Sequence, residues 1–121
     1  MNTNYTTPTK EYRFRISKND VNNKRNLLPY ILYDTMETTA KESLSLIKDS
    51  INFENNLFKL HLLKNATLND ELIIKPKVER FNNKEILLKI RVYKTTNKKL
   101  EMICNATFGY LINNLNLELA S

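Results

Sequence analysis

The sequence predicts an α+β fold in which a five-stranded antiparallel sheet wraps around one long central helix. Residues 28–47 set Leu28, Leu32, Met36 and Ala40 in one row, the spacing of a buried helix face. One stretch before this helix and four after it alternate apolar and polar side chains, as half-buried strands do. Short asparagine-bearing connectors, Asn82-Asn83 and Thr96-Asn97, join the last three strands as hairpins, with Asn where a positive φ is needed.

Residues 1–9 are polar and contain Pro8, the composition of a flexible start. Within 10–17, Tyr12, Phe14 and Ile16 fall on one side of a strand and Arg13 and Arg15 on the other. Residues 18–26 form a polar loop. Proline is tolerated only in a first helical turn, so Pro29 starts the helix at about Leu28, and the periodicity carries it to about Ile47. Ile31, Thr35 and Thr39 flank the core row, while Tyr30, Asp34, Glu37 and Lys41 share another face. A polar connector follows over 48–56.

The first strand beyond it, 57–63, sets Phe58, Leu60 and Leu62 against His61. The next, 71–81, turns Leu72, Ile74 and Val78 to one face. Pro76 inside it removes a ladder donor and calls for an edge or a bulge. The strand 85–95 faces Ile86, Leu88, Ile90 and Val92 inward and Lys89 and Arg91 outward. The last, 100–112, aligns Leu100, Met102, Cys104, Ala106, Phe108 and Tyr110. Gly109, the only glycine, marks a bulge or a close backbone approach. Residues 113–121 are a tail, read as either a short extra strand or unstructured chain.

A chain of 121 residues is expected to form one domain over 1–121, small enough for oligomerisation to help bury surface. Its apolar runs are too short to span a membrane. No charged-then-apolar leader is visible, and Cys104 is the only cysteine, which points to a reducing cytoplasm without an internal disulfide. The net charge of +6 suits an anionic ligand or reflects a composition rich in Lys and Asn. No basic run is interleaved with aromatics, so nucleic acid is not an expected partner. His61 is the sole histidine, on a strand face expected at the surface, and no Cys or His cluster joins it, so no metal site is expected. Cys104 reads as a small core hydrophobe. A single glycine excludes a glycine-rich phosphate loop.

Strand, loop, long helix and four antiparallel strands is the order of the hotdog fold. The stretch NATLNDELIIKPKVERFNNKEILLKIRVYKTTNKKLEMICNATFGYLI resembles the C-terminal half of hotdog acyl-CoA thioesterases. Asn69-Asp70 stands at the family's polar turn, Val78, Arg80 and Lys84 match its middle, and Ala106-Thr107-Phe108 its end. Two active-site patterns are similar to the helix entry. The 4-hydroxybenzoyl-CoA thioesterase-like branch, laid on this chain, falls on Asp20, Asn22, Asn26 and Tyr30 and puts the catalytic carboxylate at Asp20. Asn23 and Lys24 stand at that branch's Gly and His. The branch resembling phenylacetate-pathway thioesterases puts the carboxylate at Asp34, with Arg25, Asn26 and Leu27 replacing its His-Gly-Gly. Asp20-Val21-Asn22 also begins a hydratase motif, but the histidine base that dehydration needs does not follow.

The resemblance implies acyl-thioester hydrolysis at a pocket between subunits of a homodimer or homotetramer. Unpaired amides at the helix N-terminus, around 24–31, would polarise the carbonyl, and Asp20 or Asp34 would activate water or attack. Asn22, Asn26 and Tyr30 would contact the substrate. Arg80 and Lys84, with Lys75, Lys77, Lys89 and Arg91 nearby, would hold coenzyme A phosphates. Acyl-CoA or an acyl-carrier protein is the implied substrate, the coenzyme or pantetheine arm being part of it, with no separate cofactor. Each residue has a plainer reading. Asp20, Asn22 and Asn26 suit caps and turns. Asp34 suits a solvated helix face, paired with Thr38 or Lys41. Tyr30 could orient Asp34 or simply pack, and the cations suit an outer sheet face. The rival function is a hotdog protein that binds an acyl chain or carrier without hydrolysis, or an assembly module, which the missing Gly and His favour.

Overall fold

Helix α1, Pro29–Ser43, is the element against which the sheet is laid in the computed structural model, which describes residues 10–53 and 57–113. Pro29 opens it, where a missing N–H breaks no helical bond. Leu32, Met36 and Ala40 are buried, as their spacing predicts. The α-helix stops before Ile47. Leu44, at φ −104°, leaves the helical region, and a 3-10 segment, Ser45–Ser50, takes over. Ser43 and Ser45 flank the break. The Ser43 hydroxyl donates to Ala40 O at 2.9 Å, the local side-chain competition that disfavours serine in helix interiors.

The strands are β1 (Tyr12–Arg15), β2 (Ile51–Asn52), β3 (Leu57–Leu62), β4 (Glu71–Phe81), β5 (Glu85–Thr96) and β6 (Lys99–Ile112). All pair antiparallel, in the order β1-β4-β5-β6, with β2 and β3 both on the free side of β6. β2 meets Leu111 and Ile112 and β3 meets 104–108. The two lie end to end, so the sheet is five strands wide. The polar connector expected over 48–56 thus contains a short strand. The flexible start at 1–9 and nearly all of the tail, 114–121, lie outside the described residues.

Alternation places the core. Ile86, Leu88, Ile90 and Val92 of β5 are all buried against α1, with Phe108 and Tyr110 of β6 beside them. Cys104 Sγ sits 3.8 Å from Met36 Sδ. The alternation of β6 fails at one point. Val92 pairs with Cys104 but Tyr93 with Met102, so Ile103 is an extra residue. Such a bulge changes the phase of the strand. Ile103 is buried, and Leu100, expected inward, is 47% exposed.

Pro76 lies beyond the four residues of β4 that β1 covers, on a locally open edge where proline is tolerated. The bulge of β4 comes later, between Val78 and Arg80. Asn97 and Lys98, at φ 51° and 67°, form the two-residue turn between β5 and β6, one residue later than the expected Thr96-Asn97, because Thr96 still belongs to β5. No positive φ occurs at Asn82 or Asn83. There the Asn82 side chain makes the turn, Oδ1 accepting the N–H of Lys84 at 2.8 Å and of Glu85 at 3.0 Å. Gly109 pairs with Leu87, and a Cβ on it would stand 3.0 Å from Leu87 Cδ2, so the close approach is by a side chain. Leu60 and Leu62 pair with Ala106 and Cys104 and share their concave face. They stay 45% and 55% exposed, while α1 packs chiefly over β4, β5 and β6.

Candidate active site

The loop entering α1 is held by its own polar residues. Asp20 closes the 3-10 turn Lys18–Asp20: its Oδ2 accepts the backbone N–H and the hydroxyl of Ser17, each at 2.9 Å. Asn22 Oδ1 accepts the N–H of Lys24 at 2.9 Å and of Asn26 at 3.0 Å. Arg25, at φ 67°, turns the chain back so that Val21 bridges Leu27. A second loop buttresses this one. Leu27 N–H donates to Ala66 O at 2.8 Å and Leu68 N–H to Arg25 O at 2.9 Å. Asn69, at φ 75°, fills the glycine place of the resembled turn, since asparagine tolerates that left-handed conformation. Asp70 Oδ2 accepts the Thr67 N–H at 2.9 Å.

This bonding decides which amides can polarise a carbonyl. Over 24–31, Lys24 and Asn26 donate to Asn22 Oδ1 and Arg25 to Asn22 O. Leu27 donates to Ala66 O, Leu28 to Asp20 O and Ile31 to Leu28 O. Pro29 has no N–H. Among the described residues, the Tyr30 N–H is left without an acceptor. The expected row of free amides reduces to one.

Asp34 stands one helical turn beyond Tyr30 on the same face, and helical side chains tilt toward the N-terminus. Its carboxylate is exposed, with no hydrogen bond or ion pair among the described residues. Neither expected partner takes it, and Lys41 pairs with Glu37 at 3.8 Å. Asp34 lines a groove of about 320 Å³ between α1 and the edge of the sheet, with Tyr12, Arg13, Phe14, Thr38, Glu42 and Ile74. Burial and then the nearby Glu37 and Asp34 charges push the Tyr33 phenol above its usual range. Burial and Glu42 do the same to Tyr12. The Tyr110 hydroxyl is buried with no hydrogen-bond partner among the described residues, and burial raises its pKa.

The remaining candidates are dispersed. The Tyr30 ring is 61% exposed and makes no bond to Asp34. Arg80 pairs with Glu85 at 3.0 Å, about 20 Å along β4 from Ile74. Lys84 is exposed in the β4–β5 turn. Lys75, Lys77, Lys89 and Arg91 alternate with core residues and face the convex side, away from the groove. Lys75 pairs there with Glu11 at 3.6 Å and Lys89 with Glu79 at 4.0 Å. His61 is exposed on β3. Among the described residues no three His, Cys, Asp or Glu side chains are grouped to hold a metal, and no helix is long and apolar enough to cross a membrane. Sequence reasoning missed the groove. Thr38 and Glu42 follow Asp34 at helical spacing and were legible, but nothing local placed Tyr12 and Ile74 opposite them.

No protein-family model matches the chain, and no curated protein matches it. Solved structures do. An acyl-CoA hydrolase from Staphylococcus aureus, in complex with butyryl coenzyme A and coenzyme A, superposes with a TM-score of 0.78 at 10% identity, over 87% of this chain and 65% of that one. The chain thus spans just under two thirds of that hydrolase. A hexameric thioesterase from Yersinia pestis gives 0.70 at 14% identity over 83% of both chains. A hypothetical thioesterase protein from Streptococcus pneumoniae with coenzyme A gives 0.68 at 14% identity over 84% of this chain and 76% of that one. At such identities the likeness is one of architecture, a curled antiparallel sheet on one main helix, and the fold of this chain is the hotdog fold of these thioesterases.

Proposed function

We propose that the chain is an acyl-CoA thioester hydrolase in which Asp34 is the catalytic carboxylate and the Tyr30 N–H polarises the carbonyl. The observation that carries this reading is the pairing of a free carboxylate with the one free amide of the helix entry, a turn apart on one face at the mouth of a groove. The thioester oxygen accepts the Tyr30 N–H. Asp34 takes a proton from water as the water oxygen bonds to the carbonyl carbon. The C–S bond then breaks, the thiolate takes that proton, and an acid and a thiol leave. Asp20 serves the loop, because its Oδ2 already accepts two bonds. Asn22 and Asn26 position the backbone that ends at Tyr30.

Coenzyme A is the favoured acyl carrier, on the ligands of two of the similar structures; an acyl-carrier protein is the other. The enzyme is further proposed to be a homo-oligomer, joined at the sheet edge opposite the groove. The open edge of β3 and the bare Leu60 and Leu62 suit a second copy, and the Yersinia pestis thioesterase is a hexamer. Arg80 and Lys84 reach the coenzyme phosphates only if another subunit brings them to the groove.

One observation favours the second reading, acyl binding without hydrolysis: the loop consumes its own amides and leaves one donor for an oxyanion. Thiol release from a panel of acyl-CoAs and acyl-carrier proteins separates the two. Turnover by the wild type that Asp34→Asn abolishes is the expected result. Silence across both panels, from folded protein, sinks the hydrolase and leaves the binding protein.

A further inference from the structure

We infer that the groove along α1 is the acyl subsite and that its length gives the site a preference for acyl groups of about eight carbons. The inference rests on the hydrolase reading and deepens it by naming the substrate class. Asp34, Thr38 and Glu42 follow one another at steps of four residues, so they form a single stripe along the helix. From Asp34 to Glu42 the stripe rises two turns, about 12 Å, roughly the extended length of an eight- to ten-carbon chain. Tyr12, Arg13 and Phe14 of β1 and Ile74 of β4, the residue paired with Tyr12, form the opposite wall, and the Arg13 guanidinium is paired with Glu11 and Glu71.

The chemistry of the walls suits an alkyl chain. Thr35 and Thr39, which also line the groove, donate their hydroxyls to Ile31 O at 2.7 Å and Thr35 O at 2.8 Å. Satisfied in this way, they leave methyl groups to face a ligand. The two ends differ. Asp34 lies toward the helix N-terminus and the free Tyr30 N–H, where the thioester must sit. Glu42 lies at the far end, close enough to Tyr12 to act on its phenol. A chain that reaches Glu42 would begin to desolvate a carboxylate, which opposes further contact. Each methylene laid in the groove therefore adds binding only as far as Glu42. Full burial of a methylene is worth about fourfold, and an open groove gives roughly half of that factor.

The test is kcat/KM for saturated acyl-CoAs from acetyl to palmitoyl, with wild type, Thr38→Tyr and Glu42→Leu. Both substituted residues are exposed, so neither change empties the core. The expected wild-type profile climbs roughly twofold per methylene to octanoyl and is flat beyond. Thr38→Tyr, which blocks the middle of the stripe, moves the break to about butanoyl. Glu42→Leu moves it to about dodecanoyl. A profile that peaks at acetyl, climbs steadily to palmitoyl, or keeps its break in both variants overturns the inference while leaving the hydrolase intact. If no thioester is cleaved, the hydrolase reading fails separately and the groove is read by binding. Octanoate titrated into isotope-labelled protein is then expected to shift the amides of Tyr12, Thr38 and Ile74 saturably, and less tightly in Thr38→Tyr. Shifts confined to other residues, or none, overturn it.

Discussion

The Oδ2 atom of Asp20 accepts both the backbone N–H and the hydroxyl of Ser17, each at 2.9 Å. That double acceptance closes the turn ahead of α1 and ties up the carboxylate, whereas Asp34 has no such duty. On the proposed reading, the two aspartates on either side of one helix start divide into a structural and a reactive one. Asp20→Ala is expected to lower unfolding stability by about 1 kcal/mol, the worth of a cap, with kcat within about threefold of wild type. Asp34→Asn is expected to leave the urea midpoint in place and lower kcat by about a hundredfold or more. The opposite pattern would move the chemistry to Asp20.

The Tyr30 amide offers a separate check of the same site. Asn22→Ala removes the acceptor that holds Lys24 and Asn26, so the loop should loosen and the register of the Tyr30 N–H with it. The expected loss is in kcat, about tenfold, with KM changed less, since a misaimed donor weakens the transition state more than the bound substrate. A rise in KM alone would return Asn22 to direct substrate binding.

Leu60 and Leu62 share the concave face with Ala106 and Cys104 yet stay about half exposed. A second copy paired on the β3 edge would cover them. Sedimentation should find the wild type as a dimer or larger and Leu62→Lys as a monomer. His61→Lys, on the opposite face of the same strand, should leave the assembly unchanged. Equal masses for wild type and Leu62→Lys would remove β3 from the interface.

Burial holds the Cys104 thiol up at about 11, against 9.0 for a thiol open to solvent. The unfolded chain therefore loses its proton first as pH rises. Stability from this group is fully present below pH 9 and falls between pH 9 and 11, by up to about 1.4 kcal/mol per pH unit. Denaturation titrations across that window should show the decline, and Cys104→Ala should remove the part that begins near pH 9, while the raised Tyr110 phenol sustains a loss above about pH 10. Below pH 9 the native thiol should resist an aromatic disulfide reagent until denaturant is added.

Lys98 holds φ 67° in the β5–β6 turn, a conformation that its Cβ opposes. Lys98→Gly should stabilise the protein by about 1 kcal/mol and raise the thermal midpoint by roughly 4 °C. No rise in a calorimetric scan would mean that the lysine side chain repays the strain.

Much of the architecture was legible because it depends on local alternation. β5 buries every second residue from Ile86 to Val92, and α1 buries every fourth from Leu32 to Ala40, since each pattern needs only one covered face. Reading failed where a single residue broke the period. Ile103 adds one position to β6 and turns Leu100 outward, and Leu44 ends α1 before its apolar pattern runs out. Asn82 was correctly placed in a turn, but it works through its side chain rather than a positive φ.

The sequence by itself determined the fold class, the order of the main helix and its five longer strands, the helix face that carries Asp34 and the two carboxylates that could matter. The tertiary structure alone decided between their surroundings. Whether an amide is free depends on acceptors such as Asn22 Oδ1, Asp20 O and Ala66 O, and the last comes from a loop some forty residues away. The groove depends likewise on β4 carrying Ile74 beside Tyr12 and under Thr38. Hydrogen-bond occupancy and cavity shape are pairwise properties of distant residues, and no periodicity along the chain encodes them.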